Sequence, residues 1–138
     1  KAWTWNNTTL MLGLEYATTF ESDDLIQDFF RLGGFLRLSG LERGEKSGPH
    51  AALARLLLYR RAGQSDGSLL DMPLYIGGSI EAGNAWQNRG DIGFGSAELH
   101  GSIFAGVDTF LGLVFLGAGF SEDGDRSLSL FVGNPPRQ

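Results

Sequence analysis

Between Thr8 and Phe20 the chain alternates. The even positions are Leu10, Leu12, Leu14, Tyr16, Thr18 and Phe20, and the odd ones are Thr9, Met11, Gly13, Glu15, Ala17 and Thr19. Successive side chains of a β-strand point to opposite faces, so this segment predicts a strand with one apolar face and one small or polar face. It is longer than an ordinary globular strand, and its length and alternation suit a strand that crosses a membrane. The pattern returns downstream. Pro73 to Gly83 sets Leu74, Ile76, Ile80 and Ala82 against Tyr75, Ser79 and Glu81, and Ser96 to Asp108 sets Ala97, Leu99, Ile103 and Val107 against Glu98, His100 and Asp108. Leu113 to Phe120 is apolar on both faces, and Arg126 to Gly133 places Leu128, Leu130 and Val132 opposite Ser127, Ser129 and Phe131.

His50 to Ala62 is ambiguous. Its Ala, Leu and Arg content favours helix by local propensity, but its neighbours are strands, and as a strand it places Ala52, Ala54, Leu56 and Leu58 opposite Arg55. We read it as a strand. Turn chemistry falls at Gln64–Gly67, Thr109–Gly112 and Ser121–Asp125, while Asn84–Gly95 is loop-like and Pro135 and Pro136 stop the last strand. A long loop, 21–49, begins with Glu21, Asp23, Asp24 and Asp28; loops of that length inside a compact fold are usually functional. The expectation is an all-β, antiparallel fold of about six strands near 8–20, 50–62, 73–84, 96–108, 112–120 and 126–133, with residues 1–138 forming a single segment.

One side of every strand is apolar, and the other gathers Glu15, Arg55, Glu81, Glu98, His100 and Asp108. A membrane barrel turns the apolar side outward to lipid and lines its lumen with the polar side. A soluble sandwich or lipocalin-like barrel does the reverse. Periodicity fits both. Trp3, Trp5, Tyr59 and Trp86 fall near strand ends, where an interfacial aromatic belt would place them, and Arg60 and Arg61 fall at the short-turn end.

Composition narrows the classes. The chain has 21 Gly against 4 Pro with no collagen period, which suits a turn-rich or tightly curved β-protein. Mean hydropathy is −0.07, too even for a helical membrane protein, and no run approaches the roughly 20 apolar residues of a spanning helix. A net charge of −5 argues against a nucleic-acid partner. The absence of Cys excludes disulfides and thiolate metal sites. Lys1 is not an initiator Met, so the chain reads as a mature form or an excised piece.

Three stretches, FFRLGGFLRLSGL (Phe29–Leu41), YIGGSIEAGNAW (Tyr75–Trp86) and GSIFAGVDTFLGLVFLGAGF (Gly101–Phe120), together resemble the C-terminal end of the bacterial surface antigen, or BamA-like, superfamily of outer-membrane barrels devoted to protein assembly and secretion. The nearest likeness is to the barrel domain of patatin-like phospholipases, in which the barrel follows a secreted lipase domain. The resemblance covers nearly the whole chain. It implies a transmembrane β-barrel segment in the bacterial cell outer membrane, with the long loop folded inward. The family loop carries Gly-Gly and then a Val-Arg-Gly-aromatic tip; here Gly33 and Gly34 match the first part, and Leu38, Ser39, Gly40 and Leu41 occupy the tip. Ser39 therefore stands where the family has arginine. An arginine there would pair with carboxylates on the inner wall, so its loss leaves Glu81, Glu98 and Asp108 without that cation, with Arg37 and Arg55 as substitutes. The last strand also departs from the family's aromatic ending, running into Asn134, Pro135, Pro136, Arg137 and Gln138.

Catalytic chemistry has little support. Gly77-Gly78-Ser79-Ile80-Glu81 fails the last position of a nucleophile elbow, so any lipase activity belongs to an upstream domain. With only His50 and His100, and without His-x-x-x-His spacing, a zinc site is not expected. Glu81, Glu98, His100 and Asp108 read as polar lumen lining, and Gly33-Gly34 lacks the context of a phosphate loop. The expected function is a translocator or assembly-factor segment supporting secretion or insertion of proteins, with no enzyme activity and no cofactor. Its expected partners are outer-membrane lipid, a secreted passenger polypeptide, and further strands from another chain or from self-association, because single-chain barrels start at about eight strands. The alternative is a soluble β-barrel binding a hydrophobic ligand in its interior.

Overall fold

The computed structural model describes residues 1–19, 29–62, 73–109 and 112–132. The strands are β1 (Ala2–Trp5), β2 (Thr8–Thr18), β3 (Phe30–Leu32), β4 (Lys46–Gly48), β5 (His50–Ala62), β6 (Leu74–Trp86), β7 (Glu98–Thr109), β8 (Gly112–Ser121) and β9 (Arg126–Val132). Seven of them form one sheet in the order β1-β2-β5-β6-β7-β8-β9, and β3 pairs with β4 in a separate ribbon. All pairs are antiparallel. The fold is all-β. The helical turns among the described residues are two short 3-10 turns, Arg89–Asp91 and Phe94–Ser96, and no helix among these residues is long and apolar enough to cross a membrane.

The large sheet is open. Among the described residues β9 pairs only with β8, and β1 lies beside β2 only as far as Leu12, which exchanges backbone hydrogen bonds with Lys1. The helix-prone segment 50–62 is a strand because it is paired on both sides, from Thr8↔Arg60 to Thr18↔His50 with β2 and from His50↔Trp86 to Ala62↔Leu74 with β6. Two ladders of backbone hydrogen bonds outweigh a per-residue helix preference of a few tenths of a kcal/mol.

Alternation gives the sheet two unlike faces. On the outer face Leu14, Ile103 and Leu128 are 75%, 63% and 77% exposed. On the inner face Ser79, Glu81, His100 and Ser102 are buried, beneath the segment that joins β3 to β4. A small apolar core lies between the two, with Leu32 of β3 and Leu38 and Leu41 of that segment packed on Ala51 and Leu53 of β5.

Several details differ from the sequence expectation. The loop expected at 21–49 contains the β3–β4 ribbon. β6 runs on to Trp86, and β7 begins at Glu98 because Ser96 is taken up in a 3-10 turn. Trp86 does not join an outer belt: it is buried, and its Nε1 donates to Ser96 Oγ at 2.7 Å. Tyr59 faces inward, against Tyr75. Trp3 and Trp5 do lie exposed, opposite Leu10 and Thr8. Phe20, the acidic run from Glu21 to Asp28, the turn at Gln64–Gly67 and the C-terminal prolines lie outside the described residues.

Candidate functional site

The unbroken register lays the inner residues in rows across the sheet. One row runs Gly13, Arg55, Glu81, His100 and Ser121, and the next runs Met11, Leu57, Ser79, Ser102, Gly119 and Ser127. Arg55, Glu81 and His100 are therefore direct cross-strand neighbours. Glu15 and Glu98 lie together in the adjoining row, with Leu53 and Gly83 between them. Asp108 is apart from the rest, exposed near the far end of β7 opposite Leu113.

The chain between β3 and β4 folds back onto these rows. Gly33 and Gly34 have φ of 117° and 104°, and a Cβ on Gly33 would fall 2.3 Å from the Glu42 carbonyl oxygen, so the reversal needs glycine there. Arg37 N donates to Gly34 O at 2.9 Å, and Gly33 N donates to Arg37 O at 2.7 Å, closing the bend. Leu36 and Leu38 then adopt φ of 62° and 68°. That left-handed geometry costs a non-glycine residue about 1 kcal/mol or more. Complete burial of the Leu38 side chain in the apolar core offsets it.

The turn delivers Ser39 to the wall, where it is fully buried. Its backbone N–H donates to Glu81 Oε2 at 2.7 Å and its hydroxyl donates to Glu81 Oε1 at 2.6 Å. The same hydroxyl accepts from Leu36 N at 2.8 Å, and the Ser39 carbonyl accepts from the Ser127 hydroxyl. Ser79 donates to Glu81 Oε1 at 2.5 Å. A hydroxyl has one proton to give, so the Ser79–Ser102 contact of 2.6 Å has Ser102 as its donor. Glu81 is thus a buried carboxylate met by three short donors, and bonds to a charged acceptor are the strong kind. The tip comes so close to the wall that a Cβ on Gly119 would lie 1.8 Å from Ser39 O, and one on Gly40 would lie 2.6 Å from Ser121 N.

The cations are placed elsewhere. Arg37 and Arg55 both pair with Glu15, at 3.1 Å and 3.5 Å, and Arg55 also donates to Leu36 O at 3.2 Å. Lys46 of β4 pairs with Glu98. Of the three carboxylates expected to lack the tip cation, Glu98 takes Lys46 instead, and Glu81 is satisfied at the tip by the hydroxyl and backbone amide of Ser39. His100 is buried beside it, 3.6 Å from Glu98 Oε2, with no hydrogen-bond partner among the described residues at either ring nitrogen.

Sequence reasoning missed Ser79, Ser102, Ser127, Gly119 and Lys46. A readable signal existed for the serines: they share the inner parity with Glu81 and His100, and only small polar residues leave room for a segment to lie flat on a sheet. The contacts described hold the segment between β3 and β4 against the inner face of the sheet. The hydroxyls of Ser39, Ser79 and Ser102 are engaged with Glu81 or with one another, that of Ser127 is engaged with the Ser39 carbonyl, and among the described residues no three His, Asp or Glu side chains group to hold a metal ion. No family model matches the chain, and no curated protein or solved structure matches it.

Proposed function

We propose that the chain is an outer-membrane β-barrel segment of the BamA-like kind, closest to the barrel behind patatin-like lipases, that supports secretion or insertion of proteins through a non-covalent mechanism. The observation that carries this reading is the direction of the apolar face. It points away from the filled side of the sheet, where a soluble barrel would turn it inward. Outer positions on β5 from Ala52 to Ala62 are apolar except Arg60, and Arg60 lies beside Thr8, itself the neighbour of Trp5, at one margin. Long cationic side chains at such a margin reach to water. At the other margin the outer face turns polar, with Thr18 hydrogen-bonded to His50 Nδ1 at 2.7 Å. Ten strand steps of about 3.4 Å, tilted by roughly 40°, span about 25 Å, the height of the apolar band of an outer-membrane barrel.

The inner face supports the same reading, because buried polar rows and a docked loop fill its centre, where a soluble barrel would carry its apolar side chains. An open cleft of about 620 Å³ beside the loop includes Glu15, Arg31 and Arg37 in its walls. Further strands, from the same polypeptide, another chain or a second copy, close the barrel along the β1–β2 edge and β9.

The decisive experiment reconstitutes the chain in lipid vesicles and labels single Leu128→Cys and Ser129→Cys variants with an aqueous thiol reagent. Protection of position 128 by lipid, with position 129 insensitive to the lipid, is the expected outcome. A chain that stays folded and monomeric in plain buffer, with position 128 reactive, sinks the membrane reading.

A further inference from the structure

Beyond the serines, toward the Ala62 end of β5, the inner face changes from polar to aromatic. Five successive strands of the sheet each contribute one inward ring: Tyr59 of β5, Tyr75 of β6, Phe104 of β7, Phe115 of β8 and Phe131 of β9. Small residues lie between most of the rings. Tyr59, Gly77, Phe104, Gly117 and Ser129 form one row, and Tyr75, Gly106, Phe115 and Phe131 form the next. Tyr59 meets Tyr75 at 6.3 Å, and Phe115 stacks on Phe131 at 5.4 Å with an interplanar angle of 15°. All five are half-buried, so each keeps an open side on the inner face. Neither the Ser39–Glu81 contact nor the outer apolar band requires such a strip.

The strip already holds one guest. Phe35, carried on the turn that delivers Ser39, lies edge-on to Phe104 at 5.5 Å and tilted on Phe115 at 4.9 Å. Its ring fills the space above Gly117, where a Cβ would come within 2.4 Å of it. The guest is therefore a phenyl ring borne on a polypeptide backbone, set in the gap that a glycine leaves between two aromatic strands. Phe131 and the Tyr59–Tyr75 pair extend the same surface to either side of it.

We propose that this strip is a binding site for an extended polypeptide segment bearing aromatic side chains, with Phe35 as its resident occupant. The inference rests on the membrane reading, since only then is this face an interior along which a passenger chain passes. Aromatic pairs add roughly 0.5–1.5 kcal/mol beyond area burial, enough for selectivity while each contact stays weak enough to release. A passenger ring entering the gap over Gly117 would have to displace Phe35, which couples occupancy of the strip to the docked turn.

The test uses the full chain in lipid nanodiscs and a fluorescent peptide of alternating Phe and Ser, with an Ala–Ser peptide and a fluorescent dodecyl chain as comparators. Tyr75→Ala and Phe131→Ala, which leave the Phe35–Phe104 and Phe35–Phe115 ring pairs in place, should each weaken the Phe–Ser peptide by about threefold to tenfold. Phe35→Leu should strengthen it by a similar factor, because a weaker competitor then holds the gap. Equal binding of the Ala–Ser peptide, binding of the dodecyl chain alone, or unchanged binding in both ring variants overturns the proposal. Lipid protection of position 128, read on the same nanodiscs, keeps the two readings separate: its loss sinks the membrane assignment, whereas intact protection with no peptide binding sinks the strip alone.

Discussion

Ser39 and Glu81 are 42 residues apart in sequence, yet the serine gives both its backbone N–H and its hydroxyl to the two oxygens of that carboxylate, at 2.7 Å and 2.6 Å. The pair is fully buried, so water cannot replace either bond when one partner is changed. Glu81→Gln retains the volume but turns an amide NH2 toward donors, leaving at least one of the Ser39 and Ser79 donors unpaired. The expected loss is about 3 kcal/mol of unfolding free energy. Ser39→Ala should cost about 1–2 kcal/mol. In a double-mutant cycle the two should couple by 1 kcal/mol or more, on the order expected for residues in contact. Strict additivity in denaturant titrations of the detergent-folded chain would show that the contact does not hold the loop.

Close approach gives a second test. Gly119→Ala places a methyl group 1.8 Å from the Ser39 carbonyl oxygen, a clash between two backbones that no rotamer relieves. The turn must lift from the wall, and limited proteolysis should then cut between Gly33 and Gly44, where the unaltered chain resists. Gly101→Ala is the control, since its nearest neighbour, Ser79 O, is 3.3 Å away. Equal resistance in both variants would mean that the turn does not seat on β8.

Glu15 offers a contrast with Glu81. It pairs with Arg37 and Arg55, but its side chain is 36% exposed and that of Arg37 is 41% exposed, while Arg55, at 13%, keeps its bond to Leu36 O when Glu15 is changed. Solvent-screened pairs of this kind contribute about 1 kcal/mol or less. Glu15→Gln should therefore change stability little, and less at high salt than at low salt. Its proteolysis pattern should match that of the unaltered chain. A cleavable loop in this variant would shift the anchoring role from Ser39 to the arginines.

These contrasts show why the site was only half legible in the sequence. The alternation Leu12, Leu14, Tyr16 against Gly13, Glu15, Ala17 is local information, and it assigns both faces of β2 correctly as a pair. Which face points outward depends on what covers the other one, and that is decided by the Leu36–Leu41 turn, stabilised through contacts with β5, β6, β8 and β9. Glu81, Arg55 and His100 were found because a charge on the small face of an apolar strand stands out. Ser39 was noticed only as the absence of an arginine. Its partnership with Glu81 depends on a register and a loop path that no local pattern encodes. Trp86 was misplaced for the same reason: its position at a strand end is visible in sequence, but its partner Ser96 lies beyond a turn.

The outer face gives the prediction with the widest consequence. Ile103 is 63% exposed and Val132 is 62% exposed, so on a water-facing sheet a lysine at either position should be neutral within about 0.5 kcal/mol. In a bilayer the two positions part company. Ile103 shares a row with Leu58 and Gly78, near the middle of the apolar band, whereas Val132 lies opposite Val114 at its margin. A lysine at mid-depth costs roughly 2–4 kcal/mol, falling to about 0–1 kcal/mol near the interface. Ile103→Lys should therefore destabilise the lipid-folded chain by about 3 kcal/mol, and Val132→Lys by no more than about 1 kcal/mol. The gradient is the informative quantity, because a folding defect unrelated to lipid would not follow depth. Equal and small effects at both positions would place the outer face in water, and the inner row of Arg55, Glu81 and His100 would then need another explanation than a lumen.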